Sequence, residues 1–244
     1  MSLATLGVLC ALSAGGGVWS ALTGPRVADV QLRVAASNTV AAPSFVATVN
    51  AKIKETTSGS LGSPTVGGSA PQTQISTSKE TIVYQAPDRV QVKESSAING
   101  QSTPETEETQ IGSSCWESAS LSGQQQQCQA NAVSMFLEIV RELEKTSKVT
   151  YREGTYDLTP ADSLTFLNDA LGGTGGGPPP KNLVVQVRIQ GSNVSSEHIS
   201  FTEAEAGVSG SGSISLIADI DATFTHIGSA PPVARPSGPP TATG

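Results

Sequence analysis

Residues 80–94, Glu-Thr-Ile-Val-Tyr-Gln-Ala-Pro-Asp-Arg-Val-Gln-Val-Lys-Glu, constrain the fold more than any other stretch. Ile82 and Tyr84 share one side of a first extended segment. Val90 and Val92 share one side of a second, with Arg89, Gln91 and Lys93 opposite. Period-two alternation marks strands with one buried and one wet face. Pro87-Asp88 falls between the two segments. A proline fixes φ and offers no ladder donor, so it belongs at a corner rather than inside a sheet. Such a hairpin is marginal alone; the remaining chain must extend the sheet and cover its dry side.

Further strands are legible on both sides of it. Phe45, Ala47, Val49, Ala51 and Ile53 alternate against Thr48, Asn50, Lys52 and Lys54, giving a strand over 45–55. Ile98-Asn99-Gly100 is a turn signal, because Asn-Gly suits positive φ. A strand over 105–114 ends at Ile111-Gly112, and Cys115-Trp116-Glu117 continues into the next. Short strands are expected at 148–152 and 154–158. Leu183, Val185, Val187 and Ile189 alternate against Val184, Gln186 and Arg188. Strands over 194–202 and 213–224 follow, the last with Ile214, Leu216, Ala218, Ile220 and Phe224 on one face.

Two helices interrupt the strands. One spans 131–145, capped by Asn131, with an apolar stripe of Val133, Phe136, Leu137 and Val140 that Ile139 and Leu143 widen. The other opens at Thr159-Pro160-Ala161-Asp162, a threonine cap, a first-turn proline and a carboxylate three residues on. It carries Leu164, Leu167 and Leu171 and stops at Gly172-Gly173. Gly172–Pro180 is an intradomain connection, since too little chain follows it for a second core. Thr56–Ser78, rich in Gly, Ser, Thr and Pro, is expected to be a mobile loop. The domain is thus bounded at 43–228, after a tether over 25–42 and before a disordered Pro/Gly-rich tail over 229–244.

Leu3–Leu22 carries no charge and is about long enough to span a bilayer. Residues 1–24 are therefore read as a signal peptide or membrane anchor, although no lysine or arginine precedes the apolar run. The expected location is outside the cytoplasm, in the cell envelope, membrane-anchored or secreted. Cys10 follows Gly7-Val8-Leu9; Leu9 is too large for the position before an acylated cysteine, so Cys10 is a plain apolar residue. Cys115 and Cys128 are expected to form a disulfide, as two cysteines in an exported chain most simply do.

Net charge is −7 and no basic cluster occurs, which argues against a nucleic-acid partner and against docking through a polybasic patch. No catalytic signature stands out. Asp219-x-Asp221 places two carboxylates on one strand face, where a metal or acid–base pair is conceivable but a solvated face is the simpler reading. His226 has no partner identifiable from spacing. There is no Gly-x-Ser-x-Gly elbow next to a convincing strand and helix, and no Gly-Lys-Ser/Thr follows Gly172–Gly177. Asn193-Val194-Ser195 fits a glycosylation sequon, relevant only where that machinery exists. The chain is read as a non-enzyme that needs neither cofactor nor metal.

The order of elements, with Tyr84-Gln85-Ala86-Pro87-Asp88-Arg89 at the hairpin, Ile111-Gly112, Trp116, and Ala222-Thr223-Phe224-Thr225-His226-Ile227-Gly228 leading to prolines, resembles the bacterial lipoprotein-carrier superfamily. That group includes the LolA and LolB carriers and the LppX/LprG-type lipoproteins of actinobacteria. The resemblance covers roughly residues 43–235. It implies an α+β fold, an incomplete antiparallel β-barrel, in effect a curved sheet, covered on its open side by helices. It also implies acyl chains held between sheet and helices, with a lipid or acylated lipoprotein as partner. Combined with the one-sided strands, it nominates Val49, Ile53, Ile82, Tyr84, Val90, Val92, Phe136, Val140, Leu164, Val185, Val187 and Ile189 as the wall of a lipid cavity. The alternative is a membrane-anchored surface interaction or sensor module with the same fold and no lipid cargo.

Overall fold

Eleven strands hydrogen-bond into a single antiparallel sheet in the computed structural model, which describes residues 25–59, 71–117, 137, 139–170, 179–206 and 212–237. They are β1 (Ser44–Gly59), β2 (Gln72–Gln85), β3 (Arg89–Ile98), β4 (Gln101–Ser102), β5 (Thr106–Ile111), β6 (Ser114–Glu117), β7 (Val149–Arg152), β8 (Thr155–Leu158), β9 (Lys181–Gln190), β10 (Asn193–Ala206) and β11 (Gly212–Thr225). The order across the sheet is β6-β5-β3-β2-β1-β11-β10-β9-β8-β7, with β4 beside β3. First and last strands therefore meet at the centre. The sheet curves without closing, leaving β6 and β7 as its edges.

The hairpin at 80–94 forms as its alternation requires. Ile82 stands opposite Val92 and Tyr84 opposite Val90. Asn99 and Gly100 both take positive φ, +50° and +81°, and Asn99 also ties back to β2 by accepting from the Ile75 N–H at 2.9 Å. β1 pairs on both sides, Ala47 opposite Ile82 and opposite Phe224. Phe45 is fully buried between Tyr84 and Phe224, with ring centroids 5.1 and 6.1 Å away. Aromatic pairs of this kind add about 0.5–1.5 kcal/mol beyond simple burial.

Three expectations need correction. Residues 25–42 are not a tether: α1 (Pro25–Val40) is a helix, and Ala28, Leu32, Ala35, Ala36 and Thr39 are buried at helical spacing. The folded unit thus begins before residue 43. Thr56–Ser78 is not a loop throughout: β1 runs on to Gly59 and β2 starts at Gln72, with only 60–70 outside the described residues. Its polar side chains suffice because the backbone groups are paired by neighbouring strands. Hydroxyl pairs add to this, Thr56 with Thr73 at 3.3 Å and Ser58 with Ser213 at 2.7 Å. Residues 229–237 are not a loose tail either. The Val233 N–H donates to Gln85 Oε1 at 2.8 Å, the Ala230 N–H donates to Ser44 Oγ at 3.1 Å, and Val233 is buried.

The helix expected at 131–145 is described only in part: residues 139–142 are helical and run into a 3-10 turn, Leu143–Lys145. Asn131, Val133 and Phe136 lie outside the described residues. α2 (Pro160–Ala170) opens as anticipated, with the Asp162 N–H donating to Thr159 Oγ1 at 3.4 Å and the Thr159 hydroxyl donating to Asp162 Oδ2 at 2.9 Å. The same carboxylate accepts from Ser147 Oγ and the Lys148 N–H, both at 3.0 Å, and so fixes the approach to β7. α1 packs against β10, β7 and the 3-10 turn, and α2 packs against β9 and β8. One core cluster joins Leu32, Ala35 and Ala36 of α1, Val140, Leu143, and Phe166 and Leu167 of α2 to the sheet. No helix of the described residues is long and apolar enough to cross a membrane; Leu3–Leu22 lies outside them.

Candidate functional site

Directly opposed residues of an antiparallel pair project to the same side, so the register assigns every strand residue to one of two faces. The inner face carries Phe45, Ala47, Val49, Ala51 and Ile53 of β1. In register with them are Ile82 and Tyr84 of β2, Val90 and Val92 of β3, and Ala218, Ile220, Ala222 and Phe224 of β11. It continues through Ile199 and Phe201 of β10 to Val185, Val187 and Ile189 of β9. All the strand residues nominated for an apolar wall therefore lie on one face. Ile82, Tyr84, Val90, Val185 and Val187 are buried, while Val49, Ile53, Val92 and Ile189 are half-buried. Val140 is fully buried in the same core cluster. Leu164 is half-buried, whereas Ser163, Phe166 and Leu167 take the deep positions of α2. Phe136 lies outside the described residues.

The register also confines the basic charges of these strands to one face, while acidic charges occur on both. Glu55 of β1, Glu80 of β2, Glu94 of β3, Glu108 of β5, and Glu197 and Glu203 of β10 all fall on the inner face. No lysine or arginine occupies an inner-face position of those strands or of β11. Lys52, Lys54, Lys79, Arg89, Lys93 and Arg188 fall on the outer face. Three of the glutamates share one row across the sheet: Glu197, Ala222, Val49, Glu80 and Glu94 stand successively opposite one another on β10, β11, β1, β2 and β3.

Glu197 is the residue that sequence reasoning missed. It is 3% exposed, and neither carboxyl oxygen has a hydrogen-bond partner. Its strand neighbours are Val187 and Ala222. Removal from water with no compensating charge pushes its pKa up to about 8. A register shift between Val194 and Ser196 explains its orientation. Strict alternation from Val194 would turn Ser196 and His198 inward. The irregularity instead brings Val194, Glu197 and Ile199 to the buried side. Glu80 is also held above the usual carboxylate range, first by burial and then by the Glu94 charge opposite it.

The outer face holds a second group. Asp221 and Asp219 of β11 are joined by His198 of β10, with His198 Nδ1 2.9 Å from Asp221 Oδ1 and 3.8 Å from Asp219 Oδ1. One ligand atom from each lies within 4.8 Å of the others. Both aspartates are more than half exposed, and the register sets Lys52 opposite Asp219. The outer face is covered at its β5–β6 edge, where Thr109 and Trp116 are buried and Arg235 lies 5.4 Å from the Trp116 ring centroid. Cys115 is buried on β6; Cys128, its expected disulfide partner, lies outside the described residues.

No protein-family model matches the chain, and no curated protein matches it. The inner face, an apolar surface several strands wide with only acidic charges set into it, is thus the feature from which function must be argued.

Proposed function

We propose that this is an exported, non-enzymatic protein of the cell envelope that binds or carries lipid acyl chains against the inner face of its sheet. In this reading the sheet is a half-barrel, the helices cover its open side, and acylated molecules or lipids occupy the space between. The observation that carries it is the continuity of the inner face. Apolar residues from β3 to β9 fall on one side of a curved sheet that never closes on itself. Binding sites favour concave, mostly apolar surfaces with a few placed polar groups. The element order that resembles the lipoprotein carriers supports the same reading.

The test is native mass spectrometry of the full chain purified without detergent, followed by solvent extraction. Co-purifying or exchangeable lipid is the expected result, and a charge of lipid lost on Val187→Glu would localise it to the inner face. Repeated absence of bound lipid, together with no uptake of added fatty acid or long-chain alcohol, would reject the reading.

A further inference from the structure

Glu197 has no evident structural purpose. A carboxyl buried without a hydrogen bond costs about 1–3 kcal/mol, and its cross-strand neighbours, Val187 and Ala222, offer nothing to bond with. The strand irregularity that turns it inward could as well have buried an alanine. Around it the inner face bears only acidic charge, and Glu80 and Glu94 continue its row. Successive strands lie about 4.8 Å apart, so Glu80 stands roughly 14 Å from Glu197 across the face. An anionic head group brought to this face meets repulsion and no counter-charge, whereas a cationic one meets an unpaired carboxyl.

We propose that the preferred ligand of the inner face is a cationic amphiphile, whose ammonium head pairs with Glu197 while its chain lies over Ile199, Ile220 and Val185. This rests on the lipid-binding reading and names the head-group chemistry of that same site. The three chain-contacting residues form the next row of the sheet, about 6.6 Å further along the strands from Glu197. α1 packs against β10 and is tied there by the Val194 N–H donating to Thr39 Oγ1 at 2.9 Å and by Asn38 Nδ2 donating to the Ser192 carbonyl at 2.9 Å. Glu197, Ile199 and Val185 are all buried, the last two in the core cluster that α1 joins, so the proposed ligand enters only where this end of α1 parts from β10. An incoming ammonium supplies the counter-charge and hydrogen-bond donor that the carboxyl lacks in the sheet, which favours its ionised form.

The experiment uses the full chain and three probes of equal length, dodecylammonium, dodecanoate and dodecanol, each below its micelle concentration, titrated by calorimetry at pH 7 in two buffers of different ionisation heat. The expected result is dodecylammonium binding at least tenfold tighter than dodecanoate, with release of most of one proton that dodecanol binding does not produce. Glu197→Gln should remove the tenfold preference and the proton release. Equal affinity for the three probes, a preference for dodecanoate, or an ammonium preference that persists in Glu197→Gln would overturn the head-group assignment and leave lipid binding standing. Binding of none of them would overturn both. Should Glu197→Gln fail to fold, Glu197→Ala takes its place with the same expectation, and Glu80→Gln, at the other inner-face carboxyl held above its usual range, should keep both the preference and the proton release.

Discussion

Glu80 on β2 and Glu94 on β3 stand directly opposite each other on the inner face, like charge against like charge. Such pairs destabilise a sheet, and Glu80 responds by holding its proton more tightly than usual, through burial first and Glu94 second. A pKa raised in the folded state contributes stability at low pH that is lost as pH rises through the folded value. Replacing Glu94 by Gln should therefore stabilise the protein by about 0.5 kcal/mol at pH 7, a small figure because the pair is partly solvated. The gain should vanish near pH 3, where Glu80 holds its proton. Urea unfolding at the two pH values checks this; an equal effect at both would contradict it.

For Glu197 the same sign applies with greater weight. Its folded pKa of about 8 lies above the ordinary 4.5. Between those values the native state holds a proton that the unfolded chain releases. Stability should fall across that window with a slope approaching about 1.4 kcal/mol per pH unit. No charged residue stands across from it on β9 or β11. Of the α1 charges, Asp29 accepts from the Val149 N–H and Arg33 is exposed. Glu197→Gln should remove this slope, so the two stability curves diverge as pH rises; parallel curves from pH 5 to pH 9 would show that the carboxyl titrates normally.

The segment after β11 is part of the fold. Val233 is 2% exposed, so Val233→Ala should cost about 1–2 kcal/mol. Truncation before Ala230 should cost more, since it also uncovers Trp116. Denaturant midpoints of the two variants against the full chain test the point, and midpoints unchanged by truncation would return this segment to the status of a tail.

Cys115 and Cys128 are expected to be bridged to each other. Mass spectrometry of the denatured, unreduced chain should find both thiols blocked, and reduction should destabilise it by about 3 kcal/mol on the chain-entropy estimate. Two titratable thiols would remove one of the two supports for export, leaving only the apolar N-terminus.

Strand alternation was the legible part of this chain, because period two survives in sequence wherever one face is dry. The hairpin at 82–92, the Asn99-Gly100 turn and the Thr159–Asp162 cap all follow from local chemistry. α1 was hidden because its buried stripe is mostly alanine and threonine, residues whose apolar signal is weak, although the spacing of Ala28, Leu32, Ala35, Ala36 and Thr39 is helical. The polar start of β2 was hidden because its stability comes from partners distant in sequence. Glu197 was hidden twice over. It lies within Ser195-Ser196-Glu197-His198, a wet-looking run, and only the register shift beside it reveals which way it points. The row that joins it to Glu80 and Glu94 depends on how four separate strand pairs align, which no local pattern encodes.

The sheet places its longest strands, β1, β2, β10 and β11, at the centre, where each is paired on both sides, and ends on β6 and β7, of four residues each. Unpaired edges are templates on which other chains can add strands. Among the described residues, the two terminal strands of the sheet therefore offer only short runs of backbone onto which a second copy could stack.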